Sequence, residues 1–350
     1  MTRPSAPRAV VTSVGAVCPV GLDALSAAAA LRAGVSRLTD APEVTVAAGP
    51  HGLTVEPAVA ARVPGIRARG AERDAALLGP ALAEALRRAR APVDRALVTV
   101  GSAARDPAGA LVRAAVGPGA EVVVEAGRWE QAGALDALVR AAAAVRAGDA
   151  ERVLVAGAGS LAEPGALRDL ARRGRLKSAF VPDGAVPGEA AAALVVESEA
   201  GARARGAPAL AIVLGSGAAH EAGTRAQGRA LTEAVRGALG AADCDVGLVV
   251  ADLNGDRERA REWSVAAMRA LPFRHDERDL WHPAEGVGDA GAGAGALLLV
   301  VAALALARRH APTDAVLVVA SDDAGARRAV VLGAADPIRL VPGEPPLGWA

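Results

Sequence analysis

Gly286-Val287-Gly288-Asp289-Ala290-Gly291-Ala292-Gly293-Ala294-Gly295 leads straight into Ala296-Leu297-Leu298-Leu299-Val300-Val301-Ala302-Ala303-Leu304-Ala305-Leu306-Ala307. From Ala290 to Ala307 no residue is charged, and the run is just long enough to cross a bilayer as a helix. Its glycines at 291, 293 and 295 and its high alanine content make it weakly hydrophobic for a membrane span, and it stands alone in the chain. A helix that is apolar on every side also fits between two sheets. We therefore expect a buried helix over Asp289–Arg308, entered through a glycine-rich turn.

Working outward, short apolar runs alternate with helical patterns. Arg8–Val17, Ala96–Gly101, Glu121–Glu125, Arg152–Ala156 and Ala190–Glu197 read as strands; Leu22–Ala33, Pro107–Ala115 and Trp129–Ala147 read as helices, the first opened by Gly21 and Asp23. The plan then repeats. Ala209–Gly215, Val246–Asp252, Ala315–Ala320 and Arg328–Gly333 read as strands, with helices over Thr224–Leu239, Arg257–Ala270 and Asp289–Arg308. Such βαβ order predicts an α/β protein with a parallel-dominated sheet, built from two similar halves, 1–200 and 209–335. Residues 41–69, richer in Pro and Gly, are expected to form a peripheral insertion or surface hairpin, and 336–350, with four prolines, a surface tail.

Composition narrows the function classes. Hydrophobic residues make up 52% of the 350, charged residues 22% and aromatics 2%, a globular balance of small side chains. Lys+Arg and Asp+Glu stand at 39 each, so there is no basic excess to collect on phosphates, and nucleic acid is not an expected partner. Cys18 and Cys244 are the only cysteines and have no CxxC or nearby His cluster, which predicts neither disulfide nor structural metal and fits a reducing cytoplasm. The N-terminus lacks the apolar stretch and cleavage site of a signal peptide. No cofactor is expected. Gly157-Ala158-Gly159-Ser160-Leu161-Ala162 satisfies GxGxxA, but no acidic strand end follows about 20 residues on, as a dinucleotide site would need, so we read it as a tight turn between strand and helix.

Several segments in one order resemble the β-ketoacyl synthase branch of the thiolase superfamily. Val10-Val11-Thr12-Ser13-Val14-Gly15-Ala16-Val17-Cys18-Pro19-Val20-Gly21 is similar to that family's first strand and turn. Arg146-Ala147-Gly148-Asp149-Ala150 with Val153–Gly157 resembles the segment after its nucleophile helix. Pro182-Asp183-Gly184 with Gly188–Glu197 resembles the end of its first half; Gly286–Gly295 resembles its glycine-rich turn and Ser321–Gly333 its last loop and strand. The resemblance spans nearly the whole chain and rests on collinearity. It implies a thiolase-like five-layer αβαβα fold with the active site between the halves, and dimerisation.

A ketosynthase needs a thiolate at a helix N-terminus and two imidazoles. Counting back without gaps from Gly148-Asp149, the resemblance places Gln131 at the cysteine position, as in chain-length-factor partners of polyketide synthases and in decarboxylating loading domains, although Trp129-Glu130 and Ala132-Gly133 depart from their motif. Asn254-Gly255 stands for the first His-Gly pair, Gly286-Val287 for the second histidine site, and Ala324 for the gating phenylalanine. The resemblance would bring Asn254, Asp256, Glu262 and Asp289 toward the old pocket; we favour helix capping and dipole complementation for them over a retained ligand pocket. Cys18 and Cys244 read as inert packing thiols. His275 and His282, near Asp276, Glu277 and Asp279, read as a solvated loop without HxxxH or HxH spacing.

The resulting expectation is a cytoplasmic, non-catalytic partner or adaptor. It would be a homodimer, or a heterodimer with an active ketosynthase, with acyl carrier protein or a type VI secretion effector as further partners. The alternative is a residual 3-oxoacyl-ACP synthase or acyltransferase with a different nucleophile.

Overall fold

The computed structural model describes residues 7–48, 50–127, 131–223, 227–272 and 278–335. The tail at 336–350, Trp129, Glu130, His275, Asp276 and Glu277 lie outside the described residues. The chain opens with β1 (Ala9–Val17), buried throughout, and turns into α1 (Ala24–Arg32). Asp23 caps that helix, its Oδ1 accepting from the backbone N–H groups of Leu25 and Ser26 at 2.9 Å. A separate antiparallel hairpin follows, β2 (Leu38–Ala48) with β3 (Thr54–Ala61), packed against Leu167 and Leu170. Next come α2 (Ala71–Ala89), β4 (Arg95–Val100), α3 (Arg105–Val116), β5 (Glu121–Ala126), α4 (Gly133–Ala147), β6 (Arg152–Ser160), α5 (Pro164–Arg172), β7 (Glu189–Ser198) and the short α6 (Glu199–Ala204). The second half of the chain holds β8 (Ala211–His220), α7 (Arg229–Ala242), β9 (Leu248–Ala251), α8 (Arg257–Ala270), β10 (Asp279–Trp281), α9 (Ala284–Val287), α10 (Ala294–Ala307), β11 (Ala315–Ser321) and β12 (Ala326–Gly333).

The strands run β10-β9-β11-β12-β8-β1-β7-β6-β4-β5. Between the two sets of five, only Val10↔Ile212 and Val11↔Ala211 pair, so β1 and β8 act as a seam. One core holds α4 and α10 between the two sets. A second packs α2 and α3 outside β4, β6 and β7, and a third packs α7 and α8 outside β9, β11 and β12. This is the five-layer αβαβα arrangement, with the apolar run of the opening stretch at its centre.

Residues Gly295 to Leu306 of α10 are all buried, and α10 touches both sheet halves. Among the described residues no helix is long and apolar enough to cross a membrane. The layers approach backbone to backbone. A Cβ on Gly295 would lie 2.2 Å from the carbonyl oxygen of Gln131, and one on Gly159 would lie 2.4 Å from that of Ala290. The latter corrects the reading of Gly157–Ala162 as a turn: β6 continues as a strand through Ser160, and its glycines let the entry to α10 rest on the sheet.

Two further expectations change. The sheet is mixed, with β4–β5, β4–β6, β9–β10 and β9–β11 parallel and the other pairings antiparallel. Strands buried on both faces, such as β1 and β7, show no alternation that would reveal direction. The long helix α2 went unread because Pro80 interrupts it and because Arg73, Asp74 and Glu84 are charged yet buried.

Those charges are matched internally. Arg73 donates from Nε and Nη2 to Glu189 at 2.6 Å each, and Glu189 also accepts from Val63 N–H and Ser160 Oγ. Beside this pair, burial pushes the Asp74 carboxyl from its ordinary 3.8 up to about 7; Glu189 and Glu163 add to the rise, and the N–H of Gly101, 3.1 Å away, opposes it. Between those values the native state holds a proton that the unfolded chain lacks, so this contribution to stability is present in acid and is lost as pH rises toward 7. Asp74→Asn is expected to raise stability at pH 8 by on the order of 2 kcal/mol. The gain should shrink below pH 5, as read by thermal melts across pH.

Candidate functional site

Four of the sequence-identified residues meet where the central layer begins. Gln131 lies two residues before α4, fully buried, its carbonyl under Gly295 of α10. Asn254 lies in the β9–α8 loop, Val287 ends α9, and Asp289 precedes α10. The backbone of Asp289 is pinned from both sides: its N–H donates to Val186 O at 2.7 Å, and its carbonyl accepts from Gly188 N–H at 2.8 Å.

The Asp289 carboxylate is the hub. Asn254 Nδ2 donates to Oδ2 at 2.6 Å, Gln131 Nε2 reaches both oxygens at 3.3 Å, and Gly291 N–H donates to Oδ1 at 2.9 Å. Asn254 Oδ1 accepts from Asp256 N–H at 3.1 Å, which fixes the amide's orientation. Relative exposure is 0% for Gln131, 7% for Asn254 and 5% for Asp289. What space remains is a cavity of about 20 Å³, lined by Asn254, Asp289, Val287 and the apolar Ala251, Leu297 and Leu298. That is room for one water molecule. Gln131 Oε1 is buried and has no hydrogen-bond partner among the described residues.

Asp256 and Ala324 fall elsewhere, in an open cleft of about 730 Å³ with Arg175 and Asp323. Asp256 caps α8, its Oδ1 accepting from the N–H groups of Glu258 and Arg259 at 3.0 and 3.2 Å, and its Oδ2 pairs with Arg175 at 3.2 Å. The capping reading is therefore correct for Asp256. Glu262 lines neither cavity nor cleft; its Oε1 accepts from Arg327 Nε at 2.5 Å in a fully buried ion pair.

Behind the hub lies a pair that sequence reasoning missed. Arg259, 2% exposed, pairs with Asp252, whose carboxylate also accepts from Ser321 N–H at 2.7 Å. Burial alone would lower the Arg259 pKa, yet the surrounding carboxylates of Asp252, Asp289, Asp323 and Asp256 raise it. Nothing in the spacing of Asp252 and Arg259 marks them as partners, because one ends a strand region and the other sits in the next helix.

No thiol or imidazole of the described residues lines the residual cavity. Cys18 is buried and its thiol is pushed up to about 11 by burial, the reverse of what a nucleophile needs. Burial beside Asp245 and Asp243 also raises the half-buried Cys244. His282 Nδ1 lies 3.2 Å from Glu285 Oε1, away from the hub. Among the described residues no group of three or more His, Cys, Asp or Glu side chains is placed to hold a metal ion.

No family model matches the chain. An alignment of 177 positions that covers 46% of this chain is 37% identical to a Streptomyces coelicolor protein named "Putative polyketide beta-ketoacyl synthase 2". An alignment of 176 positions is 36% identical to the protein of the same name from Streptomyces halstedii. The match spans 42% of each of these relatives, less than half their length. Among solved structures, the chain superposes with a TM-score of 0.80 on a chain of the AntDE:AntF complex, a type II acyl-carrier protein with its ketosynthase, at 17% identity over 95% of this chain and 100% of that one. The ishigamide ketosynthase/chain length factor gives 0.76 at 18% identity, covering 95% and 100%. An oxazolomycin ketosynthase domain of Streptomyces albus JA3453 gives 0.76 at 17%, covering 97% and 76%. The fold is thus the thiolase-like fold of the ketosynthases.

The hub makes a stability prediction. Asp289→Ala strands the buried donors of Gln131, Asn254 and Gly291 and is expected to cost about 3 kcal/mol. Gln131→Leu removes an unpartnered oxygen and leaves Asp289 two donors, so its cost should stay below about 1.5 kcal/mol. Chemical denaturation of both variants checks the order.

Proposed function

We propose that this ketosynthase-like, thiolase-fold chain is a non-condensing partner of an active β-ketoacyl synthase, in the manner of a chain length factor. The observation that carries the reading is the buried Gln131–Asp289–Asn254 cluster. An amide at 131 cannot form an acyl thioester, an amide at 254 does not exchange protons near neutral pH, and Val287 offers no hydrogen bond. In our reading the same side chains take up the space an acyl group would need beside Asn254 and Asp289, where the cavity is about 20 Å³.

A second observation supports the partner. Among the described residues β5 ends the sheet, paired on one side with β4, and Val122, Val123 and Val124 are half-buried. An apolar edge strand of this kind invites pairing with another chain. In our reading that chain is a synthase that also receives the acyl carrier protein. The ishigamide neighbour, a ketosynthase/chain length factor, is in keeping with such a pair.

Two experiments test the proposal. Incubated alone with radiolabelled malonyl and acyl thioesters, the protein is expected to yield neither labelled acyl-protein nor released carbon dioxide nor condensed product; any of these would sink the non-condensing reading in favour of a residual acyltransferase. In sedimentation with a synthase co-produced from the same host, the native chain is expected to form a heterodimer. Val122→Lys/Val124→Lys should abolish it; because both valines also pack against the core under α2 and α3, a thermal melt of the isolated variant checks that it still folds. Recovery of self-association only would replace the heterodimer with a homodimer.

A further inference from the structure

A cavity of about 910 Å³ opens between β1, the start of α1, the last turns of α2 and the β7–β8 connection. It shares no lining residue with the Asp289 hub or the Asp256 cleft. Its volume suits a small organic ligand, which needs roughly 300–1,000 Å³. Leu22, Leu25, Pro80, Pro208 and Leu210 give it an apolar wall, and Leu22 stands 59% exposed there.

The polar part of the lining is unbalanced. Arg87, Arg88, Arg90 and Arg205 face it against Asp23 and Glu84. Both carboxylates are already engaged: Asp23 caps α1, and Glu84 accepts from the N–H groups of Ala16 and Ala24 at 3.0 Å and pairs with Arg88 at 2.9 Å. Arg205 is held by the buried Glu197 and donates to Ala89 O at 2.8 Å. Arg87 and Arg90 are exposed and form no ion pair among the described residues. Complementing the C-terminal dipole of α2 accounts for Arg87 and Arg88. Arg90, the C-cap residue with φ 50°, adjoins the same helix end, and with Arg87 it brings two exposed guanidinium groups to one apolar-walled cavity.

From this juxtaposition we infer that the cavity binds one amphiphilic anion, a phosphate or carboxylate head on Arg87 and Arg90 with an apolar chain along Leu22, Leu25 and Leu210. The proposal is independent of the partner reading.

Isothermal titration calorimetry of the full chain with octyl phosphate is expected to show one saturable site with a Kd on the order of 10–100 μM. Inorganic phosphate and octanol should each bind at least roughly tenfold more weakly, since each supplies half of the contacts. Arg87→Glu/Arg90→Glu changes two exposed residues and should keep the native melting temperature while weakening octyl phosphate roughly tenfold. Leu22→Ser, equally exposed, should weaken octyl phosphate and leave inorganic phosphate unchanged. Absence of saturation, octanol binding as tight as octyl phosphate, or full affinity in the double variant would overturn the site. So would capture by phosphatidylglycerol vesicles without binding of monomeric octyl phosphate, which would make the basic rim a membrane contact.

Discussion

The fold depends on one constraint: α10 must lie between two sheets without any polar face and close enough to touch backbone. Every residue from Gly295 to Leu306 is buried, and the helix gains nothing from amphipathicity. Its stability rests on burial of small apolar side chains, which contribute through close contact more than through area per residue. Glycine at 295 and at 159 makes that contact feasible, since a single added Cβ at either position would meet a carbonyl oxygen inside 2.5 Å. The low aromatic content follows the same logic, because thin layers leave little room for rings.

Placing α10 so tightly also places Asp289. Its backbone is clamped to 186–188 immediately before the helix entry, so the carboxylate has little freedom and must be satisfied where it stands. Gln131 and Asn254, from the other two segments that converge there, satisfy it. A buried carboxylate surrounded by amide donors is costly to dismantle and contributes little net stability when intact. Its effect is to specify how three separate segments meet, as buried polar networks do when all members are paired. Here Gln131 Oε1, without a hydrogen-bond partner among the described residues, is the exception, and it points to an amide held for its donor group.

How much of this was legible in the sequence follows from the same physics. The central helix could be read because an all-apolar run of that length has few settings. Strand positions could be read from apolar runs, but strand direction could not, since β1 and β7 bury both faces and alternation is absent. α2 was hidden by Pro80 and by three charged residues whose partners, Glu189 for Arg73 and backbone N–H groups for Asp74 and Glu84, come from distant segments. The glycines of Gly157–Ser160 misled for a related reason: a close approach between layers and a tight turn call for the same residue. Gln131, Asn254, Val287 and Asp289 were identified by position, and only coordinates could show that both amides donate to Asp289. The same coordinates set Asp256 and Ala324 apart in the cleft and Glu262 in its own ion pair.

The proposed non-condensing role gives these placements a physical rationale. A condensing site must hold open space beside a reactive thiol and two imidazoles, and each of those demands opposes close packing. In that reading, side chains that bond to one acidic residue remove the opposition, and the Asp289 hub joins the halves as a piece of core whose requirements match those of α10. Selection on such a chain would act on the surfaces left exposed, namely the β5 edge and the basic cavity beside α2, where Arg87 and Arg90 form no ion pair among the described residues.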